Sequence, residues 1–387
     1  MTAAGSRPLG LRTERALVDG VERRGWWVVV REGVVESASP ARPAGVAEVE
    51  LAGMDLVPGL VDLHSDCLEG RARPRSAMVL PLAAAMLELD TEVASQGITS
   101  HFLCVCLDED PTKHRSLEQA VETVGMLEEV REELRVSHHV HLRFEMTGEG
   151  LDTAASLAVR PVVGMVSYMV HLPGLGQFRD PAAWEAYYGA RVGATAVEVG
   201  RRTQLLHRVD ERRRAIAALA HDAGLVLASH DDDTPESAGV ACEVGARICE
   251  FPVTLGAAEA AARLGLGIVM GAPNARRGRS QHDNLSAREA LRRGLLTALA
   301  SDYHPASLLS SAYELAADRE CSWAEALALV SEGPARLAGL SERGRIREGC
   351  VADLVAVGRR AGRPSVVQVW RAGQPVLGPV PAGGATA

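Results

Sequence analysis

The sequence predicts an α/β protein, a (β/α)8 TIM-like barrel carrying a small β-sandwich domain formed from both chain ends. Three observations carry that expectation. Eight short apolar runs recur through the middle of the 387-residue chain, several of them separated by amphipathic stretches, the alternation expected of parallel β/α units. Polar residues fit for chemistry fall at or just past the C-terminal ends of those runs, the face on which barrel enzymes place their sites. Both ends of the chain read as β-branched runs with Gly and Pro punctuation and no helical period.

From about Arg15 to Leu56 the text is strand-like, WWVVVREGVVESA and then AEVELAG. Residues 345–378 have the same character in RIREGCVADLVAVGRR and SVVQVWRAGQPVL. Chain ends often lie close together, so the two should pair. This divides the chain into a small β domain, 1–57 with 345–387, and a barrel over 58–344. The barrel runs are GLVDLH, GITSHFLCV, VHLRFEM, VVGMVSYMVH, GLVLASH, ARICEFPV, GIVMGAP and LLTALASD. Between them, SLEQAVETVGMLEEVREEL and RRRAIAALAHDAG have helical spacing. The Ala/Gly/Pro-rich text after Val376 is expected to be disordered.

Composition sets limits. Hydrophobic residues at 47% and charged residues at 24% describe a globular chain, and 4% aromatics disfavour an antiparallel sandwich with aromatic inner faces. A net charge of −9 argues against nucleic acid, whose binding draws on a basic surface. The seven cysteines are odd in number and lack the two-residue spacing of zinc ribbons, which reads as reduced thiols in cytoplasm. No stretch approaches the roughly 20 apolar residues of a membrane span, and the first residues lack the apolar core of a signal peptide.

The first barrel run ends VPGLVDLHSD, and residues two apart in a strand point the same way, so His64 and Asp66 offer two ligands to one side. A capped turn is the plainer reading. Glu145 closes VHLRFEM, where an apolar strand delivers a carboxylate to the mouth; it either pairs with Arg143 or bridges metals. His171 and His230 end two further runs, and histidines on successive barrel strands converge as ligation requires. Of the acids that follow His230, Asp231 or Asp232 would hold its ring from behind, while Asp233 reads as a solvated turn and helix cap. Asp302 closes the last run, where a carboxylate could take a proton from an attacking water.

Arginines gather at Arg71, Arg73 and Arg75 and again at Arg276, Arg277 and Arg279, after strands one and seven. On an acidic chain these clusters suit a small anionic, phosphorylated substrate, and the loop from Gly271 to Gly278 could add backbone donors. His138, His139 and His141 precede a strand and are expected at the surface, toward the far end of the barrel.

Taken together, PGLVDLHSD, GITS, HLRFEM, ASHDD, EFPVTLGAAEAA, MGAPN with RG, S and N beyond it, and SDYHPASLL resemble the amidohydrolase superfamily. Within it they resemble the alpha-D-ribose 1-methylphosphonate 5-triphosphate diphosphatases of the carbon–phosphorus lyase pathway. The likeness runs from about Pro58 to Leu309. It implies metal ligation by His64, Asp66, Glu145, His171, His230 and Asp302, with Asp302 also the base. It further implies substrate contacts from Arg75, Arg143, Asn274, Arg277, Ser280 and Asn284, and one or two divalent ions, zinc first and manganese as the alternative. The implied reaction is hydrolysis of the ribosyl 5-triphosphate to the 5-phosphate and pyrophosphate. Barrels of the resembled families often form homo-oligomers. The chain departs from the family at Gly70, Val170 and Gln281, all on substrate-side loops. Two other readings stand beside the leading one: hydrolysis or deamination of a cyclic amide on the same metal site, and a binding protein that kept the fold and lost catalysis.

Overall fold

The computed structural model describes residues 7–75, 78–110, 115–178, 180, 182, 184, 199–200, 202–280 and 284–379. Four strands open it: β1 (Leu9–Val18), β2 (Val21–Arg31), β3 (Val34–Ser39) and β4 (Ala47–Pro58). Eight barrel strands follow: β5 (Leu60–Ser65), β6 (Ile98–Leu107), β7 (Ser137–Glu145), β8 (Val163–Met169), β9 (Val226–His230), β10 (Ile248–Glu250), β11 (Gly267–Gly271) and β12 (Leu296–Ala300). The chain closes with β13 (Leu354–Arg360), β14 (Arg363–Arg371) and β15 (Gln374–Leu377).

Both ends do pair. They form one mixed sheet in the order β15-β14-β13-β4-β1-β2-β3, in which β4 joins the two halves by running antiparallel to β13 and parallel to β1. One core serves this sheet from Val28 and Val30 on β2 to the fully buried Trp370 on β14. The tail from residue 380 lies outside the described residues.

The eight runs read from sequence are the eight barrel strands, parallel and in chain order from β5 to β12. The ring nearly closes at an isolated bridge between Ser65 and Asp302, where the Asp302 amide donates to His64 O and the Asp66 amide to Asp302 O, both at 2.8 Å. The two segments with helical spacing form helices at Leu117–Val130, capped by the Ser116 side chain, and at Val209–Asp222. Inside the barrel an apolar layer of Val61, Leu63, Phe102, Met165, Ala228, Ile248, Val269 and Ala298 packs against Ala335 and Leu337. Those last two belong to the helix Glu332–Leu337, which plugs the N-terminal end. Above that layer the same strands turn polar, so burial holds the reactive groups at one height.

A bulge on β5 sets the first ligand. Pairing with β6 runs Asp62 to His101 and then Ser65 to Leu103, which leaves one extra residue on β5. Val61 and Leu63 face the barrel core, and the extra residue lets His64 face it as well, the re-aiming that bulges perform beside active sites. Buried Asp62 receives the Ser301 amide at 2.9 Å and so ties β5 to β12; burial pushes its carboxyl up to about 6.

Candidate metal centre

His64 lies at the centre of the polar layer, 1% exposed. Its Nδ1 is 2.9 Å from Glu250 Oε1 and its Nε2 is 3.9 Å from Asp66 Oδ2. Glu250 closes the short strand β10, is fully buried, and reaches toward His230 Nε2 at 4.0 Å. Burial alone would raise Glu250, but His64 and His141 bring its carboxyl down to about 2. Asp302 stands with His64 and Asp66, their ligand atoms all within 4.8 Å of one another. Phe251 walls the group, its ring 4.9 Å from that of His64 and 5.2 Å from that of His230.

A second set adjoins the first through His230. Asp231 Oδ2 lies 3.0 Å from His230 Nδ1 and 3.7 Å from His171 Nε2. His171 Nδ1 is 3.0 Å from Glu145 Oε2, and the other Glu145 oxygen accepts from the Thr147 hydroxyl at 2.6 Å. Glu145 does not pair with Arg143, since the two share a strand face but diverge. Arg143 instead binds Asp66, and touches His230 Nε2 at 3.3 Å and Met169 Sδ at 3.3 Å. Asp231, Phe251 and Asp302, each just past a strand end, have φ of 60°, 53° and 59°. Non-glycine residues rarely adopt that left-handed backbone, and it collects at functional sites.

The donor set fits a cation. His64 Nδ1, His230 Nδ1, Asp231 Oδ2 and both Glu250 oxygens are buried without a partner in hydrogen-bonding geometry. Buried polar atoms that lack aligned hydrogen bonds are costly even where charges lie opposite one another, and a metal ion is one of the few remedies. Cys104 also lies within 4.8 Å of His64 and His141, but burial pushes its thiol up to about 12, which leaves a neutral sulfur.

The structure brings His64, Asp66, Glu145, His171, His230 and Asp302 into one region, spread over the two sets. Asp232 does not hold His230; its carboxylate takes the Ser229 hydroxyl and the Cys249 thiol, because the left-handed backbone at Asp231 ends the strand's alternation just before it. Asp231 occupies the position beside His230. The helix after Asp233 is capped by Thr234, whose hydroxyl accepts from Ser237. His138 and His141 are corrected from surface to interior, 6% and 0% exposed. They already belong to β7, whose nine residues run through the barrel wall. His141 donates from Nδ1 to Leu63 O at 3.0 Å and so accepts at Nε2 from Ser167 at 2.8 Å, which uses both ring nitrogens.

Beside the centre opens a cleft lined by Asp231, Asn274, Arg277, Arg279, Ser280, Asn284, Asp302 and Tyr303. Arg277 and Arg279 are exposed along it. Asn274 spends its amide on Leu285 O and the Ala287 amide, both at 3.0 Å, and so shapes the loop. The first arginine cluster does not reach this cleft. Arg71 turns back to Glu92, and Arg75 is exposed beside a bridge to Met78. Arg276 is paired with Glu314 at 3.0 Å. Gln281, where the chain departs from the family, lies outside the described residues. Sequence reasoning missed Glu250, although a lone carboxylate closing an apolar run was the same signal that singled out Glu145. It also missed Arg115, 2.8 Å from Glu69, and Arg202, 2.8 Å from Asp108.

A parallel barrel with imidazoles and carboxylates converging at the C-terminal strand ends, flanked by a sheet from both termini, defines a class, and the chain belongs to the amidohydrolase family. The Amidohydrolase family model matches residues 254–377. More particularly, the chain is 34% identical over 332 residues to alpha-D-ribose 1-methylphosphonate 5-triphosphate diphosphatase of Escherichia coli (strain K12), an alignment covering 83% of this chain and 88% of the relative. Among solved structures, ochratoxinase of A. niger superposes with a TM-score of 0.68 at 13% identity, covering 97% of this chain and 96% of that one. N-acetyl-D-glucosamine-6-phosphate deacetylase of Mycobacterium smegmatis superposes with a TM-score of 0.64 at 16% identity, covering 96% and 100%. These two likenesses concern the fold alone. No described helix is long and apolar enough to cross a membrane.

Proposed function

We propose that this chain hydrolyses alpha-D-ribose 1-methylphosphonate 5-triphosphate to the 5-phosphate and pyrophosphate, as a step of phosphonate breakdown. The observation that carries the proposal is the 34% identity, over 83% of the chain, to the Escherichia coli diphosphatase. The site's chemistry agrees: a carboxylate-rich cation centre opens onto a cleft bordered by two arginines, the complement of a polyphosphate.

One or two divalent ions would be held by residues drawn from His64, Asp66, Glu145, His171, His230 and Asp302, to which Glu250 is added. Mixed imidazole and carboxylate donors suit zinc first and manganese as the alternative. An ion bound there supplies Lewis acidity and lowers the pKa of water toward about 7. Asp302, at the cleft edge, is the carboxylate placed to accept the water's proton, and burial raises its pKa. Arg277 and Arg279 orient the outer phosphates, with Ser280 and Asn284 as neutral donors on the same wall. The seven free cysteines support a reducing, cytoplasmic setting.

The test is product analysis with metal-loaded protein, offering the ribosyl triphosphate, nucleoside triphosphates and a panel of cyclic amides. Pyrophosphate from the first substrate, abolished in Asp302→Asn, is the expected result. Turnover of an amide in place of the triphosphate would mean that the site was inherited for a different substrate.

A further inference from the structure

Away from the metal centre, arginines also gather where the terminal sheet meets the barrel. The helix Ser307–Ala317 begins just past Asp302, and its eleven residues span about 16 Å at a rise of about 1.5 Å each. Toward its far end a second cavity opens, lined by Arg15 of β1, Arg359 of β13, Arg319 just beyond the helix, and Tyr313, Ser322 and Trp323. It shares no lining residue with the cleft beside the metal centre.

The two rings serve to hold arginines. Arg15 lies over Trp323 with 4.2 Å to the centroid, and Arg359 over Tyr313 with 4.9 Å. Stacking sets both guanidinium planes before anything binds, so less side-chain freedom is left to lose. Arg15 spends Nε and Nη2 on Asp55, which leaves Nη1 without a hydrogen bond among the described residues. Arg319 and Arg359 are exposed and enter no ion pair among those residues. Ser322 Oγ accepts from the Glu325 amide, so its own proton remains to donate.

The neighbouring acids are already answered. Asp55 takes Arg15 and the Tyr313 hydroxyl, Asp318 takes Arg288 at 2.7 Å, Glu320 takes Arg292 at 2.8 Å, and Glu325 takes the Ser322 amide at 2.8 Å. Three guanidiniums thus face the cavity against the single carboxylate of Asp55. Arg319 also stands at φ 59°, just past a helix end where glycine is usual, so its charge is placed there against the backbone's preference.

We propose that this cavity binds a small phosphorus oxyanion, inorganic phosphate or pyrophosphate, between the sheet and the barrel. Guanidiniums arriving from three separate elements suit a tetrahedral, multiply charged anion better than a planar carboxylate. Bound there, the anion ties β1 and β13 to the barrel's helices. The site is independent of the metal centre and of the reaction proposed above.

The experiment titrates the full chain with sodium phosphate and with sodium pyrophosphate by calorimetry, after removal of metal so that the metal centre cannot hold the anion. Arg359→Gln and Arg319→Gly are each expected to bind at least about tenfold more weakly, the loss of one charge-assisted hydrogen bond. The cleft variant Arg277→Gln/Arg279→Gln is expected to keep the site. Arg319→Gly removes the guanidinium and relieves the left-handed backbone, so without ligand it should melt no lower than wild type, which separates lost binding from lost folding. Binding of pyrophosphate alone would identify the reaction's product as the ligand, and binding of both anions would identify free phosphate; either upholds the site. No binding to wild type, wild-type affinity in both arginine variants, or loss of all binding in the cleft variant would overturn it.

Discussion

At the residue scale the barrel interior is built from charges that cancel in place. Asp66 lies with Arg143 and Arg115, Glu145 with His171 and 3.8 Å from Arg202, and Asp108 with Arg202. The histidines lower in the wall are balanced differently, by staying neutral. His139 stacks on Phe102 with ring centroids 4.8 Å apart, and burial, with Arg343 nearby, lowers its pKa to about 4. Because that value lies below the ordinary 6.5, the unfolded chain binds the proton more readily. The stabilising contribution is therefore full above pH 6.5 and is lost as pH falls toward 4. At pH 5 this amounts to about 2 kcal/mol. His139→Phe should shrink the fall in unfolding free energy between pH 7 and pH 5 by about that much, measured by urea titration. An unchanged fall in the variant would show that His139 does not carry this acid sensitivity.

At the element scale, the site depends on where strands end and on what blocks the barrel's far end. The helix Glu332–Leu337 sits so close beneath β12 that a Cβ on Gly333 would lie 2.2 Å from Thr297 O and 3.0 Å from Ala328 O. Both are backbone atoms and cannot swing aside. Gly333→Ala should therefore cost about 1–3 kcal/mol of stability through overpacking, seen as a lower thermal midpoint, with the metal content of the remaining folded protein unchanged. A midpoint equal to wild type would mean that the helix shifts freely and that the plug is loose. The strand ends were readable from sequence, because apolar runs stop where a polar residue must face the mouth. The bulge on β5 was not, since one extra residue against β6 shows only when two strands pair.

At the scale of the whole molecule, the terminal sheet is fastened to the barrel. Asp55 on β4 accepts from Arg15 Nε at 2.7 Å and from the Tyr313 hydroxyl at 2.8 Å, while Arg15 stacks over Trp323 with 4.2 Å to the ring centroid. Val57, Val355 and Val369 of the sheet join the main barrel core. Sheet and barrel are thus expected to unfold together, with tryptophan fluorescence and circular dichroism tracing one transition. Asp55→Ala, which leaves Arg15 and Tyr313 without their acceptor, should lower stability by about 2–3 kcal/mol. Separate transitions in the wild type would show the two parts to be independent.

The sequence by itself determined the architecture and the height of the site. Period and punctuation are local properties, and they carried all eight barrel strands, the pairing of the two ends, and the convergence of His64, His171, His230 and Asp302 on one face. The tertiary structure alone decided which charge answers which. Asp66 and Glu250 are 184 positions apart in the chain, and both approach His64. Only the closed barrel shows that the first is answered by arginines and the second by histidines. The same holds for His141, Asp232 and Arg71, whose roles follow from partners on other strands and helices. Backbone periodicity is set by neighbours in sequence, whereas the electrostatics of a buried group is set by whatever the fold places within a few ångströms of it.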